Sequence, residues 1–469
     1  MLRRILLSGA ALLMLGGGAF FYRERHPTPQ RLMERAVDGV YRSEYQTALK
    51  DFSAILKKQP DNAKAYYFRG FLNKELRRLP DAVADFGRAL ELEPALSGVY
   101  FQRSLARKEL GDLPGALLDI EKAASLRPKA PELLAVRAAI LRGLGRSAAA
   151  EKDLDQALDV RPGFEPALLE RGSLRRGRMA YDEALLDFSA VLNVNGRSAP
   201  ALLGRAQTLY SRGSRTGYPA AIKDLDQAIA LLPRNPYLLS ERAEVEGALY
   251  DFDAQLRDLS AVIEATPKDP SGYFDRARAL HAASYAVGEL SEEKLSKERA
   301  ALADLERAIE LAPRFADAYA GRSNIRMVLD DFDGARADAK THMKLSPKDP
   351  QPEINLCNIE RTEGNFDKSL PHCNKAIDLA PRSFEAYRHR CATYMWLDRL
   401  TEALADCDLA IELNPSLDQA FTIRGELHVK RKERLRALSD YKEAFRLNPS
   451  LNLEPIIADL KKGLPAAAP

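Results

Sequence analysis

Four cysteines carry the most distinctive chemistry in the chain: Cys357, Cys373, Cys391 and Cys407. They fall into two pairs, and the members of each pair are 16 residues apart. A thiol can close a disulfide, ligate a soft metal, attack an electrophile or fill a small apolar space. The spacing is not the C-x-x-C kind that marks zinc ribbons or redox motifs. Three readings remain open: two disulfides, four reduced core residues, or a zinc site completed by His372 or His389. The chain has six histidines, three of them (His372, His389, His428) late in the sequence, and no Ser or Cys forms a recognisable triad with any of them. It also lacks a Gly-rich phosphate loop, an HExxH helix and a nucleophile elbow. These features give a non-enzymatic protein that needs no cofactor and no metal.

A second chemistry recurs along the chain. Arg35 is followed by Asp51, Arg69 by Asp85 and Arg103 by Asp119, the first of eleven such pairs. Where another pair would fall, Leu356 and His372 stand instead, so both partners are lost together. Were each Asp to serve the following Arg, Asp338 and Arg390 would be stranded. Pairing within one unit strands nothing, so an Arg–Asp bridge inside each unit is expected. Such a pair speaks more for geometry than for net stability.

The elements that position these residues are helices. Pro60, Pro94, Pro128 and Pro162 are spaced by 34 residues, as are Pro313, Pro347, Pro381, Pro415 and Pro449. A period of that size marks a stacked-repeat architecture, which offers a long binding surface rather than a catalytic pocket. In the copy at 384–417, Tyr387, Cys391 and Tyr394, then Ala403, Cys407 and Ala410, recur at helical spacing in two halves. Small residues let the two helices approach, and Pro415 closes the second. The copy at 63–96 repeats the pattern with Tyr66, Gly70, Ala82, Phe86, Ala89 and Pro94.

This pattern resembles the tetratricopeptide repeat over residues 29–451. The resemblance implies an all-α, right-handed α-solenoid of about twelve helical hairpins, with a C-terminal capping helix and tail in 452–469. The eighth copy is long, with an insertion near 284–299 that extends its helices, and a smaller insertion lies around Ser211–Ala221. Numbering each repeat from its first helix, the cysteines occupy places 8 and 24, which face each other where the helices come close. Cys357–Cys373 and Cys391–Cys407 are therefore disulfide candidates.

In the family that this chain resembles, places 2, 5, 9, 12 and 13 line a concave groove. Carried over, place 12 gives Lys74, Lys108, Arg142 and Arg176, and places 5 and 9 give Tyr67, Phe71, Phe101 and Leu105. That is a basic row beside an apolar one, suited to a protein or peptide partner. A second candidate patch holds Arg361, Arg388, Met395 and Trp396. The family's grip on chaperone tails needs Lys at place 5 and Asn at place 9. Asn324 and Asn358 sit at place 9, but Ala320 and Ile354 precede them at place 5, so that binding is not implied.

Lys and Arg number 70 against 67 Asp and Glu, a net charge of +3 that does not ask for nucleic acid. Residues 1–28 read as a signal peptide or signal anchor. Arg3 and Arg4 precede an apolar run over residues 5–22, long enough to meet a membrane. The charge bias puts the solenoid outside the cytoplasm, where cysteines oxidise. The expectation is a periplasmic scaffold anchored to a bacterial inner membrane, or exported after cleavage. The alternative is a cytosol-facing membrane receptor similar to the import receptors of the mitochondrial outer membrane.

Overall fold

The computed structural model describes residues 28–287, 291–448 and 451–462. The apolar run 5–22, with any cleavage site in it, lies outside the described residues. Among the described residues no helix is long and apolar enough to cross a membrane, and every regular element is a helix.

The chain divides into two compact units after Gly217. The first holds five helical hairpins, from Pro29–Tyr41 with Tyr45–Lys58 to Glu165–Gly177 with Tyr181–Val194, and then the single helix Ala199–Ser211. The second opens with Tyr218–Leu231, continues with six hairpins and ends in the short helix Glu454–Lys461. Within each unit a helix packs on its neighbours in sequence, and the first helices of consecutive hairpins also touch. Each unit is thus a stack of repeats, an α-solenoid segment.

The hairpin at 63–92 shows how the sequence writes the motif. Asn62 caps the first helix by accepting from the Ala65 amide at 2.9 Å. Leu72 and Phe86 point inward and are fully buried. Pro80 sits at the start of the second helix, where its missing N–H costs nothing. That helix stops at Leu92, two residues before Pro94. The residue joining the helices is left-handed in hairpin after hairpin. Glycine meets this need at Gly111, Gly145 and Gly364, but Arg77, Met179, Tyr250, Asp330, Asp398 and Lys432 adopt it with φ between 56° and 64°.

Places 8 and 24 share one volume. A Cβ on Gly70 would stand 3.0 Å from the Phe86 ring, and one on Gly425 3.1 Å from Tyr441. Glycine therefore faces an aromatic residue, while Ala138 faces Leu154. In the tenth and eleventh hairpins the same site holds a covalent link. Cys357–Cys373 and Cys391–Cys407 are disulfides with Cα atoms 5.2 Å and 5.5 Å apart, within the usual range for the bond. All four sulfurs are so engaged, and the zinc and free-thiol readings give way.

The two insertions resolve differently. In the eighth hairpin both helices lengthen, to Pro270–Ala286 (17 residues) and Glu292–Leu311 (20 residues), against 13 and 14 in an ordinary copy. The smaller insertion leaves its helices unchanged and adds the 3-10 turn Arg215–Gly217. At the C-terminal end, Leu453 and Ile457 bury against Phe421 and Tyr441. Arg434 ties down the capping helix through the carbonyls of Leu460 (2.9 Å) and Asp459 (2.7 Å).

Candidate binding site

Ten of the Arg–Asp pairs lie within their hairpins, as expected. Arg103 donates to Asp119 through Nε (2.8 Å) and Nη2 (2.5 Å), and Arg322 grips Asp338 in the same bidentate way at 2.9 and 2.7 Å. The long eighth hairpin keeps the bridge between Arg276 and Asp304. The Asp carboxylates are buried. An aromatic residue three places earlier covers several of the guanidinium groups, as Tyr100 covers Arg103 at 5.7 Å.

Several of these arginines make a second bond, between hairpins, that repeat spacing does not reveal. A guanidinium has five donors, and the third nitrogen often reaches back to the preceding hairpin. Arg171 Nη1 meets Asp155 at 2.7 Å, Arg242 meets Asp226 at 2.6 Å and Arg424 meets Asp408 at 2.6 Å. One arginine thus joins two helices of its own hairpin to a neighbour. The tenth hairpin is not left without an ion pair either. Glu353, 2 % exposed, takes His372 Nδ1 at 2.6 Å and Lys375 Nζ at 2.7 Å, with the charges reversed between its two helices.

The basic row of the first unit splits into two roles. Lys74 Nζ donates to Gln102 at 2.9 Å, and Arg142 Nε to Glu170 at 2.5 Å. Each reaches the same place on the next hairpin, so both clamp neighbouring repeats. Val136 and Gly204 occupy that place opposite Lys108 and Arg176 and offer no acceptor. Lys108 is exposed, and the buried Nε of Arg176 has no hydrogen-bond partner. Tyr67, Phe71, Phe101 and Leu105 are half-buried. Tyr67 and Phe71 pack on the cluster around Phe86, and Phe101 packs on that around Ile120 and Leu134. Burial pushes the Tyr67 phenol up.

The second patch comes together in part. Arg361 and Arg388 lie on adjacent first helices, Gln351–Thr362 and Phe384–Trp396. Arg361 donates to Asn358 at 2.6 Å, and Arg388 Nη2 to His389 Nε2 at 2.6 Å. Trp396 is 58 % exposed and stacks on Phe366, with ring centroids 5.7 Å apart. Met395 does not belong to this surface. It is buried beside Cys391 and Cys407, because it lies on the inward stripe of its helix.

Sequence reasoning did not single out a polar cluster in the eighth hairpin. Glu298 is fully buried and accepts from Ser284 Oγ at 2.5 Å, and His281 Nδ1 lies 2.9 Å from both its oxygens. The carboxylate stands between the hydroxyl and the imidazole, so the histidine does not activate the serine. A cleft of about 250 Å³ opens beside it, lined by Phe274, Arg278, His281, Asp317 and Asn324 among others. The insertion itself was the available signal, since extra helix length must find polar partners of its own. Among the described residues no group of three or more His, Cys, Asp or Glu side chains could hold a metal ion.

Residues 34–98 match the family model described as tetratricopeptide repeat. The match spans about two of the hairpins, and hairpins of the same length and pattern continue along both units. No curated protein matches it at a significant level. Solved structures similar to it include a tetratricopeptide repeat protein from Parabacteroides merdae, 20 % identical, covering 54 % of this chain and 98 % of that one at a TM-score of 0.47. Yeast Tom70 is 17 % identical, covering 94 % and 96 %, and the Cut9–Hcn1 hetero-tetramer of the APC/C is 13 % identical, covering 94 % and 97 %, both also at 0.47.

Proposed function

We propose that this protein is a non-enzymatic scaffold that binds a protein or peptide along the face formed by the first helices of its hairpins. The supporting observation is the state of that face in the first unit. Tyr67, Phe71, Phe101 and Leu105 keep part of their surface in solvent there, while Lys108 and Arg176 hold donors that no side chain of the next hairpin uses. Apolar anchors beside uncommitted cations suit a peptide with acidic groups between apolar side chains. Lys74 and Arg142 belong to the same row but are committed to holding repeats together.

The same reading puts the protein on the outer side of a bacterial inner membrane, tethered through residues 5–22 or released by cleavage. Two disulfides in adjacent hairpins support this, since such bonds persist in oxidising compartments. Protease added to spheroplasts should digest the chain and protease added to intact cells should not. Resistance in both would favour a cytosol-facing receptor. On the exported protein, Lys108→Glu with Arg176→Glu should abolish in-cell crosslinking of the partner to residues 97–177 without changing the helical circular dichroism. Unchanged crosslinking would remove the groove reading.

A further inference from the structure

We infer that Arg361 and Arg388 form an anion subsite that takes a carboxylate of an acidic peptide partner; this rests on the peptide-binding reading above. The arginines of the repeating Arg–Asp bridges are neutralised: Arg103, Arg322 and Arg424 each hold a carboxylate. Arg361 and Arg388 have only neutral partners, an amide oxygen of Asn358 and the ring nitrogen of His389. The Nε of Arg361 is buried and makes no hydrogen bond. Leaving a desolvated cation without a counter-ion is costly, and here two sit on adjacent helices.

The surroundings sharpen the point. Burial is the largest influence on Arg388 and the charge of Arg361 the next, and together they pull it down to about 10 against the opposing pull of Glu385 and Asp418. Burial also lowers Arg361. His389 is 6 % exposed and is held well below its usual range by burial and then by both arginines, so it is neutral. Its Nε2 accepts from Arg388, which leaves the proton on Nδ1, and that nitrogen has no partner. Two guanidinium groups and a neutral imidazole therefore carry donors, and no carboxylate is hydrogen-bonded to either arginine. A carboxylate, with two acceptor oxygens, supplies the missing charge and accepts bidentate bonds from a guanidinium.

An apolar contact lies within reach on the same helix. Trp396 is eight residues beyond Arg388, about 12 Å along the axis. That distance corresponds to about four residues of extended peptide. The favoured ligand is an acidic residue, or a free C-terminus, followed or preceded at that interval by an apolar side chain.

Trp396 is the only tryptophan in the chain, so its fluorescence reports on this place in the full-length protein. Four probes are titrated: an amidated peptide with one Glu four residues from a Leu, the same peptide with Gln for Glu and a free C-terminus, the amidated Gln peptide, and inorganic phosphate. We expect the first or second to bind at least tenfold more tightly than the amidated Gln peptide, and Arg388→Gln to remove that advantage. Without ligand, Arg388→Gln should be as thermally stable as the parent or more so, since it removes an uncompensated cation. A fall of several degrees in its Tm with no effect on binding makes the arginines structural and overturns the proposal. Binding of phosphate alone overturns the peptide carboxylate as its occupant. Peptides that bind equally well to parent and variant leave the scaffold reading in place and remove this subsite.

Discussion

Asp119 is held by two arginines at once, so Asp119→Ala removes one anion, strands Arg103 and leaves Arg107 with only a long contact to an acid. Arg103 grips it through two nitrogens, and Arg107 Nη1 reaches the same carboxylate at 2.9 Å. Asp119 is 3 % exposed, and the two arginine side chains are 17 % and 25 % exposed. Arg103 has no second acid to turn to, because the place on the preceding hairpin is Gly87, which lies beside its Nη1. Arg107 keeps only the Gly115 carbonyl and a long contact to Asp112 at 3.6 Å. Breaking a buried pair costs about 3–5 kcal/mol, and this carboxylate should fall near about 4 kcal/mol. Asp187 is the matched control. It too is shared, by Arg171 and Arg175, and Arg175 lies 3.5 Å from Glu151 much as Arg107 lies from Asp112, but Arg171 also holds Asp155 at 2.7 Å where Arg103 has no second acid. Those reserves keep the cations neutralised, and Asp187→Ala should cost about 2 kcal/mol.

Opening in a stack of repeats is local, so native-state hydrogen exchange of the helices Leu113–Leu126 and Tyr181–Val194 is the assay. The double variant Arg103→Met, Asp119→Ala should exchange more slowly than Asp119→Ala alone, because one stranded cation is gone. It should still open more readily than the parent, because Arg107 remains. An Asp187→Ala cost equal to or above that of Asp119→Ala would refute the role of the reserve acids. A coupling energy below about 0.5 kcal/mol between Arg103 and Asp119 would refute the bridge itself.

Three further outcomes follow from single residues. Glu246 is pushed up to about 7, first by burial and then by Asp258. Below the ordinary range near 4.5 it is neutral both folded and unfolded, and its protonated form loses its advantage as pH rises through about 7. Glu246→Gln should therefore change nothing at pH 4 and stabilise by about 1–2 kcal/mol at pH 8; equal effects at both pH values in denaturant titrations would contradict this. Met179 is left-handed at φ 61° and 75 % exposed. Met179→Gly should gain about 0.5 kcal/mol, the backbone relief less the glycine entropy, and a loss measured by exchange of helix Glu165–Gly177 would count against it. Reducing the two disulfides should speed exchange in the helices between Gln351 and Leu413, since each closed loop of this length is worth about 3 kcal/mol; four titratable thiols on denatured, exported protein would show that the bonds do not form.

What could be read from the sequence and what could not separate along one physical line. Periodicity reports which residues of one hairpin face each other, because a helix repeats its faces at fixed spacing. That is why the Arg–Asp partners and the facing of both cysteine pairs were legible once the repeat was recognised, while the chemistry of the cysteines stayed open. Contacts between hairpins depend on the angle at which one repeat docks on the next, which no period within a repeat encodes. The links from Lys74 to Gln102 and from Arg171 to Asp155 are of this kind. So is the meeting of Arg361 with Arg388, which the sequence gathered into one patch without saying that the two would share a site lacking an acid. Met395 marks the converse error. Its place number assigned it to the open face, but the packing around Cys391 and Cys407 draws it inward. A sequence signal for the arginine pair did exist in the arithmetic of charge. His372 stands where the repeat puts its aspartate, and Glu353, the acid that enters this hairpin, is consumed by His372 and Lys375. The tenth hairpin therefore breaks the repeat's charge rule beside Arg361, whose hydrogen-bond partner is the Asn358 amide rather than an acid, and a repeat that departs from its own charge rule is where a partner's charge has room to act.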